Sequence, residues 1–169
     1  QMSKETKEFA NKLIHFSEIG DFIEKISSTG KKITLCHGVF DLLHPGHIQH
    51  LAKAKELGEI LIVSITADKY VNKGPGRPAF PESLRAESLA NIISVDYVVI
   101  TPFPTAIEII KAIKPNNYVK GKDYVDENSD KTGNIVREKE IVEFYGGKLF
   151  YTDEIVFSSS QLINKFISS

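Results

Sequence analysis

Residues 32–66 read KITLCHGVFDLLHPGHIQHLAKAKELGEILIVSIT, and this stretch decides the fold. Its two ends, Lys32–His37 and Ile60–Thr66, are short runs rich in apolar and β-branched residues, which is typical of buried strands. Between them, Ile48–Leu57 has the apolar spacing of an amphipathic helix and ends at Gly58. A strand, a helix and a second strand in this order predict a βαβ unit with parallel strands.

The same alternation continues to the end of the chain. Further strands are predicted over Asp96–Ile100, Asn117–Val119 and Lys148–Tyr151, and further helices over Glu82–Ile92, Thr105–Ile113, Asn134–Phe144 and Ser159–Ile167. We therefore predict a Rossmann-like α/β fold: a doubly wound, parallel, five-stranded sheet of order 3-2-1-4-5 with flanking helices. In such a sheet, ligands bind beyond the carboxyl ends of the strands, where the strand order reverses.

The first 30 residues are predicted to form a helical lead-in, followed by the functional domain over residues 31–169. A polar helix is expected over Ser3–Phe16. A second helix is expected to begin after an N-cap at Ser17 and to end at Gly30.

Composition excludes several classes of protein. The chain has 169 residues, with 21 Lys and Arg against 22 Asp and Glu, and this near-neutral balance argues against binding to nucleic-acid backbones. No apolar run approaches the roughly 20 residues that span a bilayer, and the start, QMSKETKEF, lacks a secretory signal. We expect a cytoplasmic protein without membrane contact. The single cysteine, Cys36, cannot form an internal disulfide, and no cysteine pair or clustered third ligand predicts a structural metal.

His44-Pro45-Gly46-His47 lies where the first strand gives way to a helix. Pro45 suits the first helical position, and residues three apart share a helix face, so both imidazoles can reach one ligand. Gly46 lets an anion approach the backbone N–H groups at the positive end of the helix dipole. This pattern suits displacement at phosphorus, which depends on positioning and charge neutralisation. The alternatives are a helix-capping histidine plus a surface histidine, or half of a metal site completed by Cys36 or His37.

The string from Gly38 to Asp68 resembles the cytidylyltransferase-type nucleotidyltransferases, whose signature is G-x-F-D followed by H-x-G-H. Further matches extend the resemblance to about Phe166: KGPGRPAFPESLR, VDYVV, the IKP and VKGKDY segments, and FSSS. The VDYVV string and the IKP and VKGKDY segments are most similar to the nucleotidyltransferase domain of ADP-heptose synthases, in which GPGRP precedes an Arg-bearing helix. Together these motifs are far more specific than H-x-G-H alone.

The resemblance implies that His44 and His47 bind a triphosphate and stabilise charge as pyrophosphate leaves. It also implies that the turn Gly38-Val39-Phe40-Asp41, together with Gly46, holds the nucleotide phosphates through its backbone. Asp41 is equally compatible with a local cap, because Asp readily takes turn and cap positions.

The loop after the second strand carries Lys73 and Arg77 around Gly74-Pro75-Gly76. The resemblance implies a catalytic flap that closes over the triphosphate and the acceptor phosphate, while solvated charges on an ordinary turn would give the same string. Arg85 matches a substrate-binding arginine of the family. The alternative for Arg85 is an exposed ion pair with Glu82 or Glu87.

Two later segments complete the predicted site. A second cationic segment beside the histidines consists of Lys120, Gly121 and Lys122. We expect Lys122 to bind the acceptor and Asp123 to contact the ribose, the base or magnesium. The alternative is that these lysines are simply solvated. Ser158, Ser159 and Ser160 open the last helix and would hold the triphosphate. Two departures leave the acceptor open: Tyr151–Glu154 stands where some glycerol-phosphate members carry an Arg, and the Asp126–Gly133 extension is longer than the heptose pattern.

We expect a nucleotidyltransferase that uses an NTP, ATP favoured, with Mg²⁺ and a sugar phosphate of the heptose 1-phosphate type. The alternatives are a CTP-dependent enzyme acting on glycerol 3-phosphate or another phospho-alcohol, and a non-catalytic nucleotide sensor. We also expect a homodimer. The resemblance further implies a longer bifunctional chain, since the lead-in resembles the segment that follows the sugar-kinase half of some members.

Overall fold

The computed structural model describes residues 9–121 and 134–153. Its strands are β1 (Leu13–Ile14), β2 (Ile33–Gly38), β3 (Ile60–Thr66), β4 (Tyr97–Thr101), β5 (Asn117–Gly121) and β6 (Lys148–Thr152). Its helices are α1 (Ile19–Ser27), α2 (Pro45–Glu56), α3 (Glu82–Ala90), α4 (Ile107–Ile113) and α5 (Asn134–Phe144). No helix within these two ranges is long and apolar enough to cross a membrane.

All described strands form one parallel sheet of order β1-β4-β3-β2-β5-β6. The last five positions reproduce the predicted order 3-2-1-4-5, so the doubly wound α/β prediction is confirmed. The chain moves from β2 to β3 in one direction and later places β5 on the opposite side of β2. The strand order therefore reverses between β2 and β5, where a ligand is expected.

The sheet has a sixth strand that the sequence analysis did not predict. Leu13 and Ile14 were expected within a helix, but they pair in parallel with Val98 and Val99 of β4. Residues 9–12 are helical, so the helix predicted over Ser3–Phe16 is wrong at its C-terminal end. Pairing with an existing sheet satisfies backbone groups and buries Ile14, which outweighs a weak helical preference.

The predicted N-cap at Ser17 is also wrong. Ser17 lies within a short 3₁₀ helix, Phe16–Glu18, and the N-cap of α1 is Glu18, so the helix begins at Ile19. The buried face of α1 consists of Ile19, Ile23 and Ile26, and these side chains join the same core as the sheet. The residues before position 30 thus contribute both a strand and a buried helix face to this sheet.

Helices cover both faces of the sheet. Alternate strand residues such as Leu35, Ile62 and Tyr118 pack against α1, α4 and α5. The opposite face, which includes Cys36, Val63 and Val119, packs against α2 and α3. The two apolar layers leave the carboxyl edge of the sheet as the place where polar side chains collect.

Candidate functional site

The two histidines of the H-x-G-H motif meet at the beginning of α2. His44 is the N-cap residue, with an extended backbone, and Pro45 opens the helix as predicted. Their ring centroids lie 3.8 Å apart. The Phe40 ring, from the turn after β2, lies 5.5 Å from the His47 ring. The structure therefore brings the turn and both histidines together at the carboxyl edge of the sheet.

Two hydrogen bonds fix how these rings are presented. The Gly46 N–H donates to His44 Nδ1 at 3.1 Å, and the His44 N–H donates to His47 Nδ1 at 3.3 Å. Because each Nδ1 accepts a hydrogen bond, the proton of each neutral ring lies on Nε2. The site therefore offers two Nε2–H donors. The Gly46 N–H, expected to face an anion, is already engaged by His44.

His47 is held in its neutral form. Burial lowers the pKa of His47 from 6.5 to about 4, and the neighbouring side chains of His44, His50 and Lys73 act in the same direction. A neutral ring that donates from Nε2 binds an anion without carrying a permanent charge. A triphosphate placed beside it would oppose the lowering of this pKa, because a nearby negative charge favours the protonated ring.

Asp41 has long-range partners and is not a local cap. It is 5% exposed, and its Oδ2 atom accepts hydrogen bonds from Arg77 Nε at 2.7 Å and from the Ala79 N–H at 2.8 Å. Its Oδ1 atom accepts from the Phe80 N–H at 3.0 Å. Although burial opposes the change, the two backbone N–H groups and Arg77 lower the pKa of Asp41 below its ordinary value. The carboxylate thus fastens the loop after β3 to the turn after β2.

The predicted flap is organised by this contact. The Arg77 side chain is 13% exposed, so it does not lie on a solvated turn. Lys73 is exposed at the other end of the Gly-rich segment. Partial desolvation by the surrounding protein and the nearby Arg77 charge lower the pKa of Lys73, whereas the Asp41 carboxylate opposes this change. The flap thus carries one exposed cation, Lys73, and one cation anchored to Asp41, Arg77.

Arg85 is fully buried, and the alternative of an exposed pair with Glu82 or Glu87 is wrong. Its side chain has no exposed surface. Nε donates to the Phe80 carbonyl at 3.0 Å, Nη1 to the Val39 carbonyl at 2.8 Å, and Nη2 to Asp68 Oδ1 at 2.7 Å. Arg85 therefore joins the turn after β2, the flap and the segment after β3.

The Gly38-Val39-Phe40 turn has its own steric requirements. Phe40 adopts a left-handed backbone conformation with φ of 50°, which is uncommon for an aromatic residue. A Cβ atom at Gly38 would lie 3.0 Å from the Phe40 ring. Glycine at this position therefore gives the ring room to turn toward His47.

Lys120 and Gly121 lie at the carboxyl end of β5, next to β2. Lys120 is 8% exposed, and its Nζ lies 3.3 Å from Glu138 Oε2 on α5. The alternative of a solvated lysine is therefore wrong. The remaining predicted residues, Lys122, Asp123, Ser158, Ser159 and Ser160, lie outside the described residues.

Three polar residues near the site were not predicted. Glu138 pairs with Lys120, and no sequence signal marks it, since it stands in a charged stretch of α5. His50 is buried, with Nδ1 2.6 Å from Thr152 Oγ1, and it links α2 to the end of β6. His37 was considered only as a metal ligand, yet its Nδ1 lies 2.8 Å from Ser64 Oγ. Its place at the end of the first predicted strand is the signal that could have identified it.

The described residues do not form a metal centre. Within residues 9–121 and 134–153, no group of three or more His, Cys, Asp or Glu side chains is arranged to hold an ion. Cys36 is buried in the core and forms no disulfide. The half-metal-site alternative for the histidines thus finds no support in this part of the chain.

These features agree with the comparison to known proteins. The profile of the cytidylyltransferase-like family matches residues 35–169. The chain belongs to this family and is a nucleotidyltransferase domain. It is 42% identical over 136 residues to bifunctional protein HldE of Nitratiruptor sp. and 43% identical over 136 residues to that of Aliarcobacter butzleri. Each alignment covers 79% of this chain, which spans 28–29% of the length of those relatives.

Solved structures share the fold. A lipopolysaccharide core biosynthesis protein from Thermoplasma volcanium matches with a TM-score of 0.62 at 22% identity, over 75% of this chain and 100% of that one. Pantoate–β-alanine ligase from Francisella tularensis matches with a TM-score of 0.60 at 20% identity, over 90% of this chain and 73% of that one. At these identities the likeness supports the fold alone.

Proposed function

We propose that this domain transfers a nucleotidyl group from an NTP, with ATP favoured, to a sugar phosphate of the heptose 1-phosphate type, releasing pyrophosphate. The observation that carries the proposal is the pair of Nε2–H donors held by His44 and His47 at the beginning of α2. The acceptor class follows the relatives named HldE and the resemblance to ADP-heptose synthases.

In the proposed reaction, an oxygen of the acceptor phosphate attacks the α-phosphorus of the NTP. A bond forms between that oxygen and the α-phosphorus, and the bond from the α-phosphorus to the bridging oxygen of pyrophosphate breaks. Charge grows on the leaving pyrophosphate and on the α-phosphoryl oxygens. Donors fixed in advance at such positions stabilise the transition state without reorganising. His44 and His47 would act there, with Lys73 supplying positive charge from the flap.

The supporting residues have distinct proposed parts. Asp41 positions the flap through Arg77, and Arg85 positions the Val39 carbonyl and the flap together. Neither needs to touch the substrate. We propose Gly38, Val39, Phe40 and Gly121 as the backbone lining of the nucleotide site, whereas the Gly46 N–H holds His44. The nucleotide and acceptor contacts predicted from the sequence are also proposed for Lys122, Asp123, Ser158, Ser159 and Ser160.

Mg²⁺ would enter with the triphosphate. In nucleotide sites Mg²⁺ keeps several waters and is bound largely by substrate phosphates, so a dedicated protein cage is not required. Asp41, the buried carboxylate of the described site, already accepts three hydrogen bonds and is not proposed as its ligand. When bound, the ion neutralises charge on the phosphates. The homodimer and the longer chain with a sugar kinase remain predictions.

A screen of pyrophosphate release tests the proposal. ATP, CTP, GTP and UTP, each with Mg²⁺, are paired with a heptose 1-phosphate, glycerol 3-phosphate and related sugar phosphates. We expect the highest kcat/KM for ATP with the heptose 1-phosphate. CTP with glycerol 3-phosphate is the second candidate; the description of the matching family, cytidylyltransferase-like, supports the choice of CTP but does not bear on the acceptor. NTP binding without turnover for any acceptor would indicate a nucleotide sensor.

A further inference from the structure

A layer of polar side chains crosses the carboxyl edge of the sheet on the face opposite α2. Leu35, Ile62 and Val99 belong to the core cluster on that face, and side chains alternate along a strand. The same face continues toward the carboxyl ends of the strands with His37, Ser64, Thr66 and Thr101. His37 lies opposite Ser64 in the sheet register, and Thr66 lies opposite Thr101. The layer therefore spans three adjacent strands at the edge where ligands bind.

This layer has unused hydrogen-bonding capacity. His37 Nδ1 lies 2.8 Å from Ser64 Oγ, which is a good hydrogen bond. His37 Nε2 lies 3.5 Å from Thr66 Oγ1, at the limit of a weak one. Thr101 Oγ1 is buried and has no hydrogen-bond partner among the described residues. A buried hydroxyl without a partner is costly, and a water or ligand that completes the network is one way in which that cost is offset.

His37 is the accessible member of the layer. It is half-buried, whereas Ser64, Thr66 and Thr101 are buried. Burial and the nearby Lys120 ammonium lower the pKa of His37 to about 3, so its ring is neutral at physiological pH. The Lys120 charge is itself balanced by Glu138. A neutral, hydrogen-bonding surface of this kind suits a hydroxyl group better than a phosphate.

We propose that His37 binds a hydroxyl group of a substrate sugar through Nε2, with Ser64 holding its ring in place through Nδ1. In this arrangement the histidine pair and the flap bind the phosphates. His37 lies at the same edge of the sheet but on the opposite face. The hydroxyl belongs either to the acceptor sugar or to the ribose of the NTP. This inference rests on the proposed nucleotidyl transfer.

Steady-state kinetics of two variants test the inference. His37→Leu removes both ring nitrogens, and His37→Asn keeps a shorter polar group. The KM values for ATP and for a heptose 1-phosphate are measured separately at pH 7.5. His15→Asn is the matched control, because His15 is exposed and its side chain makes no capping hydrogen bond. We expect His37→Leu to raise one KM on the order of 10- to 100-fold, as expected for loss of a buried hydrogen bond, with a smaller rise for His37→Asn.

The substrate whose KM changes identifies the source of the hydroxyl. A rise for the heptose 1-phosphate alone assigns His37 to the acceptor. A rise for ATP alone assigns it to the ribose of the NTP. If His37→Leu does not fold, His37→Asn alone must still raise one KM.

Two results would count against the inference in different ways. Both KM values within twofold of the wild type in folded variants would overturn the inference and leave the proposed function intact. No turnover by the wild-type protein with any acceptor would overturn the proposed function and, with it, this role of His37.

Discussion

Asp41 and Arg77 lie 36 positions apart in the chain, yet a hydrogen bond of 2.7 Å joins Arg77 Nε to Asp41 Oδ2. The same carboxylate accepts hydrogen bonds from the backbone of Ala79 and Phe80. The turn that precedes the histidine pair is thus tied directly to the flap that carries Lys73. The position of the flap is therefore set by a buried ion pair.

Replacing Asp41 with Asn should destabilise the protein and impair catalysis. The amide would present an N–H donor to groups that are themselves donors, so we expect a loss of about 1–3 kcal/mol in the free energy of unfolding. The kcat/KM for pyrophosphate release should fall on the order of 10-fold, because the flap loses its anchor. Urea unfolding and steady-state kinetics measure the two effects. Glu108→Gln, in an exposed pair with Lys111, is the control and should change stability by less than about 0.5 kcal/mol.

The pH dependence separates the charge of Asp41 from its shape. Because the pKa of Asp41 is lowered in the folded state, its stabilising contribution is present above the ordinary pKa of 3.8 and is lost as the pH falls through the folded value. The stability difference between wild type and Asp41→Asn should therefore narrow below about pH 4. A difference that stays constant from pH 7 to pH 3 would contradict the role given to this carboxylate.

The lowered pKa of His47 predicts a loss of stability at mildly acidic pH. His47 protonates in the unfolded chain near pH 6.5 but in the folded protein only near pH 4. Between these values the unfolded state binds a proton that the folded state does not, so stability falls as the pH is lowered. His47→Gln should reduce the slope of unfolding free energy against pH by about 1.4 kcal/mol per pH unit in this window. Urea titrations at pH 6.5, 5.5 and 4.5 give the unfolding free energy at each pH. If its dependence on pH is the same in His47→Gln and in the wild type, the lowered pKa assigned to His47 is contradicted.

Arg85 should be more important for stability than a surface arginine. Arg85→Ala removes a buried guanidinium and leaves the Val39 and Phe80 carbonyls without their donor. We expect a loss of about 2–4 kcal/mol in the free energy of unfolding, measured by urea denaturation. Arg85→Lys keeps the charge but not the fork of donors, so it should recover only part of this loss. Arg137→Ala serves as the comparison, because Arg137 is an exposed arginine on α5.

The extent of agreement between sequence and structure depends on how local each signal is. The strand Ile60–Thr66 was predicted with its correct limits, since an apolar run between Gly58 and a polar segment is visible in a few residues. The βαβ order followed from such local patterns, whereas the strand order was taken from the usual topology of doubly wound sheets. The strand Leu13–Ile14 was missed because two residues carry little pattern, and their extended form depends on β4.

The parts of the site that the sequence could not supply depend on distant partners. Arg and Lys are usually exposed, so Arg85 and Lys120 gave no sign of burial. Their partners, Asp68 and Glu138, come from other segments, and only the fold brings each pair together. The histidine pair was identified because its spacing and its place at a helix start are both local features.

The capping geometry predicts which substitutes for the histidines retain function. The amide nitrogen of Gln occupies roughly the place of Nε2, whereas that of Asn lies near Nδ1. Because Nε2–H is the proposed donor, His44→Gln and His47→Gln should each keep more activity than the matching Asn variants. His44→Ala and His47→Ala should each lower kcat on the order of 10²–10³-fold. Circular dichroism confirms folding, and Asn variants more active than Gln variants would contradict the assigned tautomers.

The two alanine substitutions should not act independently. Because both rings would bind one triphosphate, the double variant should lose less activity than the product of the two single losses. A double loss equal to or greater than that product would show that the histidines serve separate steps.

The most direct test of nucleotidyl transfer follows the α- and γ-phosphates of ATP separately. Wild-type protein is incubated with Mg²⁺, a heptose 1-phosphate and ATP labelled at either the α- or the γ-position, and the products are separated. We predict that the α-label appears in a nucleotide sugar and the γ-label in pyrophosphate, in equal amounts, and that His47→Ala abolishes most of both. Transfer of the γ-label to the sugar, or release of the γ-label as inorganic phosphate without a nucleotide sugar, would contradict the account.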